Sequence, residues 1–412
     1  MNDFIVTGIE RDGGKFLAAA FYEDRQLTEL AVMPSREESQ VGKIYIGYIE
    51  SVAKNIGGAF IRISKDFKCF LPNYKRIAHA APASGDPESG TQMLRENTQG
   101  HMLVRITKDA AGVKEAVCST SIELAGKYSV VSPGKTSLSF SKKLDDEEKA
   151  LLKKWVNPHD YPGMHILLRT NAMQAEKKDI LHELNELSES LHDLLRRASS
   201  AKPGECLYTP EPFYITMIRD LYVAPDRAFS DVPKIADALH IYMEAHITDR
   251  SDGKGPVGTD DLNPCLIRPG TLTLAQLFNL EHDLDRLSQK IVWLKSGAYL
   301  VIERTEAFVI IDINTGRCTR GKIPEETYRK INLEAGEEIL RQLRLRELSG
   351  MILIDFINLE NEDHREELVN VMKKRARKEH RKTEVIDLTK LGILEMVREK
   401  KGKPLDEILS GK

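Results

Sequence analysis

The sequence predicts an α/β protein of several modules, and three observations carry that expectation. The chain has 412 residues, too long for one ordinary domain, so two to four modules are expected. Its first third is rich in short apolar segments punctuated by glycine, the pattern of strands and turns. Near the C-terminus, Ala307-Phe-Val-Ile-Ile-Asp312-Ile-Asn314 and Met351-Ile-Leu-Ile-Asp355-Phe-Ile-Asn358 are apolar runs of strand length that each reach a carboxylate, with a helix-like segment between them.

The elements follow in order. Phe4–Gly8, Phe16–Tyr22 and Leu27–Val32 read as strands, and short strands continue from Val41 to Pro72. Residues 84–98 read as an exposed loop, and a strand pair over about 101–133 precedes Pro133-Gly134. Asp145 to Val156 alternates charge with leucine and suits a helix. Met164–Arg169 is a strand. In 174–198, Ile180, Leu181, Leu184, Leu187, Leu191, Leu194 and Leu195 recur at helical spacing. That stripe is a packing face or a seat for a partner helix. Residues 199–212 read as a linker. The loop Ser251-Asp-Gly-Lys-Gly-Pro-Val-Gly lacks the Gly-Lys-Ser/Thr ending of a phosphate-binding loop and reads as a turn. A last module runs from near Glu281 to about Lys401, with a polar tail after it.

Composition narrows the function classes. Hydrophobic residues make up 41% of the chain, enough for packed cores, and the net charge is −3. A basic signature over the whole chain is absent, so a nucleic-acid surface would have to be local. The five cysteines (Cys69, Cys118, Cys206, Cys265, Cys318) show no C-x-x-C spacing, which argues against a disulfide framework or a cysteine zinc site and fits a reducing cytoplasmic location. No signal peptide and no apolar run of about 18 residues is seen, so no membrane partner is expected.

The carboxylate runs carry the chemistry. Side chains alternate faces along a strand, so Asp312 and Asn314 share one face. Pro324 suits the first position of a helix that runs through Glu334, Ile339 and Leu343 to Leu348, with Gly350 as its stop. The unit reads strand–loop–helix–strand. If its strands are parallel, both aspartates emerge at strand carboxyl ends, where open α/β sheets place ligands. Converging carboxylates repel, and Mg²⁺ is a hard cation that would neutralise them and act on a phosphodiester. A second reading stays open: two buried aspartates that cap loops or pair with Arg317 and Arg320.

Two longer stretches contain these runs. Ser296 to Gly316, Arg341 to Ile357 and Leu391-Gly-Ile-Leu-Glu-Met396 closely resemble the catalytic core of the RNase E/G family of endoribonucleases. The resemblance implies that Asp312 and Asp355 bind Mg²⁺, with Mn²⁺ as a substitute, in a DNase I-like subdomain, and that Asn314 supports them catalytically. It implies internal cleavage of single-stranded RNA to a 5′-phosphate and a 3′-hydroxyl, in ribosomal RNA maturation or messenger RNA turnover. Gly42–Glu50, Gly58-Ala-Phe60-Ile and Cys69-Phe70-Leu-Pro resemble the family's oligonucleotide-binding barrel, where Phe60, Phe70 and Lys114 match RNA-contacting positions. Without the family, Phe60 and Phe70 read as barrel core. Gly126, Val130, Arg169 and Thr170 resemble a pocket that senses an RNA 5′-monophosphate, with Lys382 where some relatives carry Arg. Lys382 ends the basic run Lys373–Lys378, Arg381-Lys382, either a solvated helix face or a surface for the RNA backbone.

By that resemblance the modules are an RNase H-like part at 1–35, the barrel at 36–120, a 5′-sensor region at 121–211, a second RNase H-like part at 212–280, the DNase I-like subdomain at 281–402 and a tail at 403–412. The sequence departs from the family after Met396. The C-P-x-C motif that shares zinc between subunits is missing, so no zinc is expected and the homo-oligomeric state is open. A non-catalytic RNA-binding factor derived from the family is the alternative reading.

Overall fold

The computed structural model describes residues 1–35, 39–74, 101–110, 114–246, 265–266, 272–316, 325–389, 391–400 and 402–410. The expected loops at 84–98 and 251–258, Pro324, Arg317 and Arg320 lie outside these residues. The chain divides into two compact units, one made of Met1–Glu37 with Phe213–Lys412 and the other of Glu38–Pro212.

The first unit opens with an antiparallel meander, β1 (Asn2–Arg11), β2 (Gly14–Glu23) and β3 (Gln26–Pro34). The chain then builds the whole second unit. There β4 (Ile44–Ala53), β5 (Gly58–Arg62), β6 (Lys68–Leu71), β7 (His101–Lys108) and β8 (Ala116–Ser119) form a closed five-stranded barrel. Its order is β4-β5-β6-β8-β7 and back to β4, with β6 and β8 parallel. This is an OB-like barrel. Ala59, Ile61, Cys69, Leu71, Val104, Ile106 and Cys118 fill its interior.

A second sheet follows in this unit: β9 (Leu124–Ala125), β10 (Ser129–Pro133), β11 (Ser137–Phe140), then α1 (Asp146–Trp155) and β12 (Met164–Leu168). Helix α1 starts on a capping box, Asp145 accepting from the Glu148 backbone while Glu148 accepts from that of Asp145. Helix α2 (Lys177–Ala198) buries Ile180, Leu184, Leu191 and Leu194, and Leu181, Leu187 and Leu195 pack on the same core. The leucine stripe is therefore used within the unit. Strand β13 (Cys206–Tyr208) pairs with β4.

The first unit resumes with α3 (Phe213–Asp220), β14 (Arg227–Ser230) and α4 (Pro233–His246). Strand β14 lies parallel to β1, so residues over 200 positions apart share one sheet, β14-β1-β2-β3. Alternate β1 residues enter opposite cores. Phe4 and Val6 pack with α3 and α4, while Ile5 and Ile9 pack with α5 (Leu274–Leu277) and α6 (Leu280–Leu287). The same core holds Leu287, so residues expected to open the last module pack on the first sheet.

The last sheet contains β15 (Ile291–Trp293), β16 (Tyr299–Arg304), β17 (Phe308–Asn314), β18 (Gly350–Asp355), β19 (Thr383–Leu388) and β20 (Ile393–Arg398), in the order β15-β16-β17-β18-β20-β19. Helices α7 (Glu325–Leu345) and α8 (Glu362–Lys378) contribute Ile331, Ala335, Ile339, Leu343, Leu368 and Met372 to the core against it.

Strand β17 is buried on one face only: Val309, Ile311 and Ile313 are buried, whereas Phe308, Ile310 and Asp312 are exposed. Two expectations are corrected. Gly350 is not the helix stop. Helix α7 ends at Leu345, Glu347 takes the left-handed conformation (φ 55°), and the Leu348 N–H donates to the Leu343 carbonyl at 3.0 Å, a Schellman ending. Gly350 (φ 96°) instead opens β18. The tail contains α9 (Leu405–Ser410), whose Leu405 and Leu409 are buried in the core beside β1–β3.

Candidate functional site

Strands β17 and β18 are parallel, and Asp312 is the direct partner of Asp355 in their register. Both are last or near last in their strands, both are exposed, and both occupy the face that α7 and α8 do not cover. Neighbouring strands run about 4.8 Å apart, so the two carboxylates stand side by side. Like charges directly opposite each other destabilise a sheet, which the fold alone does not require here. The reading with two buried aspartates is therefore corrected: the pair faces solvent.

Two amides hold this end of the sheet. Asn314 Nδ2 donates to Asp312 Oδ2 at 2.7 Å, which fixes one oxygen of that carboxylate. Asn332, fully buried on α7, donates from Nδ2 to the Ile357 carbonyl at 2.7 Å and accepts from the Ile357 N–H at 3.1 Å. It clamps the chain two residues beyond Asp355. Sequence reasoning missed Asn332. Its signal was a polar residue between Ile331 and Ala335 on the apolar face of the helix.

The donor set suits a hard cation. Among the described residues no group of three His, Cys, Asp or Glu side chains could hold a metal ion. Two carboxylates facing solvent match Mg²⁺, which binds through one or two carboxylates and keeps several waters for phosphate oxygens to replace.

In the barrel, Phe60 and Phe70 are register partners on β5 and β6, with ring centroids 5.4 Å apart. They point away from the interior that Ala59, Ile61, Cys69 and Leu71 fill, and both are part-exposed. The barrel-core reading of these rings is corrected. Gly58 makes room for Phe70, because a Cβ there would lie 2.3 Å from Phe70 Cζ. Lys68 Nζ lies 5.7 Å from the Phe60 ring centroid, and Lys114 is exposed two residues before β8.

Gly126, Val130, Arg169 and Thr170 come together around the end of the β10–β12 pair. The Arg169 N–H donates to the Tyr128 carbonyl at 2.7 Å, and its Nη1 donates to the Gly126 carbonyl. Thr170 Oγ1 lies 3.1 Å from Ser141 Oγ. Glu183 on α2, which the sequence did not single out, accepts from the N–H groups of Lys127 (2.6 Å), Tyr128 (3.0 Å) and Ser129 (2.8 Å) and from Ser129 Oγ (2.7 Å). Lys382 belongs to the other unit, where it is exposed and its Nζ lies 3.8 Å from Glu384. Part of the basic run is engaged internally, Arg375 with the Leu333 carbonyl and Glu337, and Arg381 with Glu347. Lys373, Lys374, Arg377 and Lys378 are exposed.

An OB-like barrel in one unit and an in-register carboxylate pair on an α/β sheet in the other define a two-unit α/β protein with a candidate cation site. The particular family is set by comparison. The model of the Ribonuclease E/G family matches residues 123–401, and the chain belongs to that family. It is similar to Ribonuclease G of Escherichia coli (strain K12), 28% identical over 398 residues that cover 95% of this chain and 79% of that protein. It is also similar to Ribonuclease E of Synechocystis sp., 27% identical over 95% of this chain and 56% of that protein. Ribonuclease E of Haemophilus influenzae is 29% identical over 95% of this chain and 41% of that protein. No helix among the described residues is long and apolar enough to cross a membrane.

Proposed function

We propose that this chain is a Mg²⁺-dependent endoribonuclease that cuts single-stranded RNA internally and leaves a 5′-phosphate and a 3′-hydroxyl. The carrying observation is the register pairing of Asp312 with Asp355 on the open sheet face. The two residues would hold Mg²⁺ through carboxylate oxygens. When bound, the ion supplies Lewis-acid neutralisation of phosphoryl charge and makes a nearby water more acidic. Asn314 orients Asp312, and Asn332 fixes the backbone beyond Asp355.

The remaining roles extend this reading. Phe60 and Phe70 stack on bases, and Lys114 meets the phosphate backbone. The cluster of Arg169, Thr170, Gly126 and Val130 receives a 5′-monophosphate, since a guanidinium matches phosphate geometry. The split sheet β14-β1-β2-β3 supports one RNase H-like module made from 1–35 and 212–280, and the six-stranded sheet supports a DNase I-like catalytic subdomain. The process served is RNA maturation or decay in the cytoplasm.

The test is cleavage of a short single-stranded RNA, 5′-monophosphorylated or 5′-hydroxylated, with and without Mg²⁺. Asp312→Asn and Asp355→Asn should each lower cleavage by more than the roughly 10–100-fold that losing an outer partner costs, while RNA binding persists. Wild-type activity in either variant would overturn the assignment. Binding with no cleavage by the unaltered chain would leave an RNA-binding factor.

A further inference from the structure

We infer that Trp293 and Tyr299 form a stacking site for a nucleobase beside the cleavage centre, an inference that rests on the nuclease reading above. Trp293 pairs with Tyr299 across β15 and β16, and Tyr299 pairs with Asn314 across β16 and β17. The three residues form one row across the sheet, next to the row that runs Ile291, Val301, Asp312, Asp355. All lie on the face that the helices leave open. Two strand spacings, roughly 10 Å, separate the indole from Asn314, so a base near the cut phosphate can reach it.

The corner is built as a wall. The ring centroids of Trp293 and Tyr299 are 5.0 Å apart with planes inclined at 51°. Gly316 has φ 60°, and a Cβ there would lie 2.4 Å from the Gly297 carbonyl and 3.5 Å from Tyr299 Cδ1. The β15–β16 turn, the Tyr299 ring and the chain leaving β17 therefore pack closely at the carboxylate end. Exposed Lys295 sits in that turn.

Trp293 is 57% exposed, a large apolar ring left to solvent at a strand edge. Two occupants could cover it, a nucleobase or a second copy of the chain. The neighbouring rows favour the base. A protein interface depletes charge from its centre, whereas this ring pair adjoins Asn314 and the Asp312–Asp355 pair. Single-stranded RNA brings a π-face for the rings and a phosphate for the carboxylate site, and aromatic stacking tolerates any base.

The test uses the whole chain in four forms, wild type, Trp293→Ala, Trp293→Phe and Trp155→Phe, with one short single-stranded RNA and with copies made abasic at one position flanking the cut. Trp293→Ala is expected to raise KM about tenfold, a typical loss for one stacked base, with kcat largely kept, and Trp293→Phe should restore most of it. One abasic position should raise the wild-type KM likewise and add nothing in Trp293→Ala. The chain has two tryptophans, so in Trp155→Phe the fluorescence reports Trp293 and should be quenched by RNA. Unchanged KM in Trp293→Ala, with unquenched Trp293, overturns the site. So does a loss of dimer mass in Trp293→Ala with RNA binding intact, which would seat a second copy there. If wild type binds RNA without cutting it, the nuclease reading fails while quenching still decides the stacking site.

Discussion

At the residue scale, the site depends on amides as much as on carboxylates. Asn314 spends one N–H on Asp312, so Asn314→Ala frees an oxygen that was fixed. The expected result is a fall in cleavage of about 10–100-fold, partly recovered by more Mg²⁺; titrating rate against Mg²⁺ measures it. Asn332 is the sterner case. Asn332→Leu would strip both partners from the Ile357 peptide in a buried place, at about 1–3 kcal/mol for each orphaned group. Thermal unfolding and cleavage should both fall, unlike in Asn314→Ala, where stability should hold. The difference explains what the sequence made legible. Asp312, Asn314 and Asp355 follow from a period of two and a repeat of the same run, both local patterns. Asn332 acts on a peptide contributed by a different element, so only the packed helix reveals its partner.

At the element scale, one glycine sets what its neighbours can do. A Cβ on Gly126 would lie 2.3 Å from Glu183 Cδ, so Gly126→Ala must push the carboxylate away from the N–H groups of 127–129. We expect Gly126→Ala and Glu183→Ala each to destabilise this unit by about 1–3 kcal/mol, with the double variant little worse than either, as for two residues of one network. Chemical unfolding of the three variants measures it. If the pocket receives a 5′-monophosphate, its preference over a 5′-hydroxyl should also disappear. The helices and strands themselves were legible wherever apolar period and punctuation agreed, as in α1, α2 and β1–β3. Their ends were less so. Glu347, not Gly350, takes the left-handed position after α7, because Leu348 must turn back to the Leu343 carbonyl before β18 begins. Likewise the polar residues around α9 hid Leu405 and Leu409, whose burial depends on a sheet formed from the opposite end of the chain.

At the scale of the molecule, the first unit is closed by charge where the sequence suggested only a family motif. Arg341 Nη1 donates to the Leu27 carbonyl at 2.7 Å, and Arg344 Nε lies 3.1 Å from Glu29 while its Nη1 reaches Glu379. His380 Nε2 lies 3.6 Å from the same Glu29, and Glu347 pairs with Arg381. These ties join β3 to α7 and to the chain after α8, so this part of the motif serves architecture. Burial pushes the Glu29 carboxyl up to about 7; Arg344 and Arg398 oppose the rise, and Glu379 and Glu347 add to it. The sign follows from linkage. Below the ordinary value of 4.5 the group is protonated in both folded and unfolded chains. Between there and about pH 7 only the unfolded chain releases the proton, so stability declines as pH rises through that window. The decline attributable to Glu29 is at most roughly 3 kcal/mol, from about 1.4 kcal/mol per pKa unit. Glu29→Gln keeps the shape and removes the titration, so its Tm should fall less than that of wild type between pH 5 and pH 8. Parallel curves for the two proteins would show that Arg344 keeps Glu29 charged throughout. In that case Glu29→Ala should instead lower stability by a similar amount at every pH, with Arg344 left to Glu379 alone.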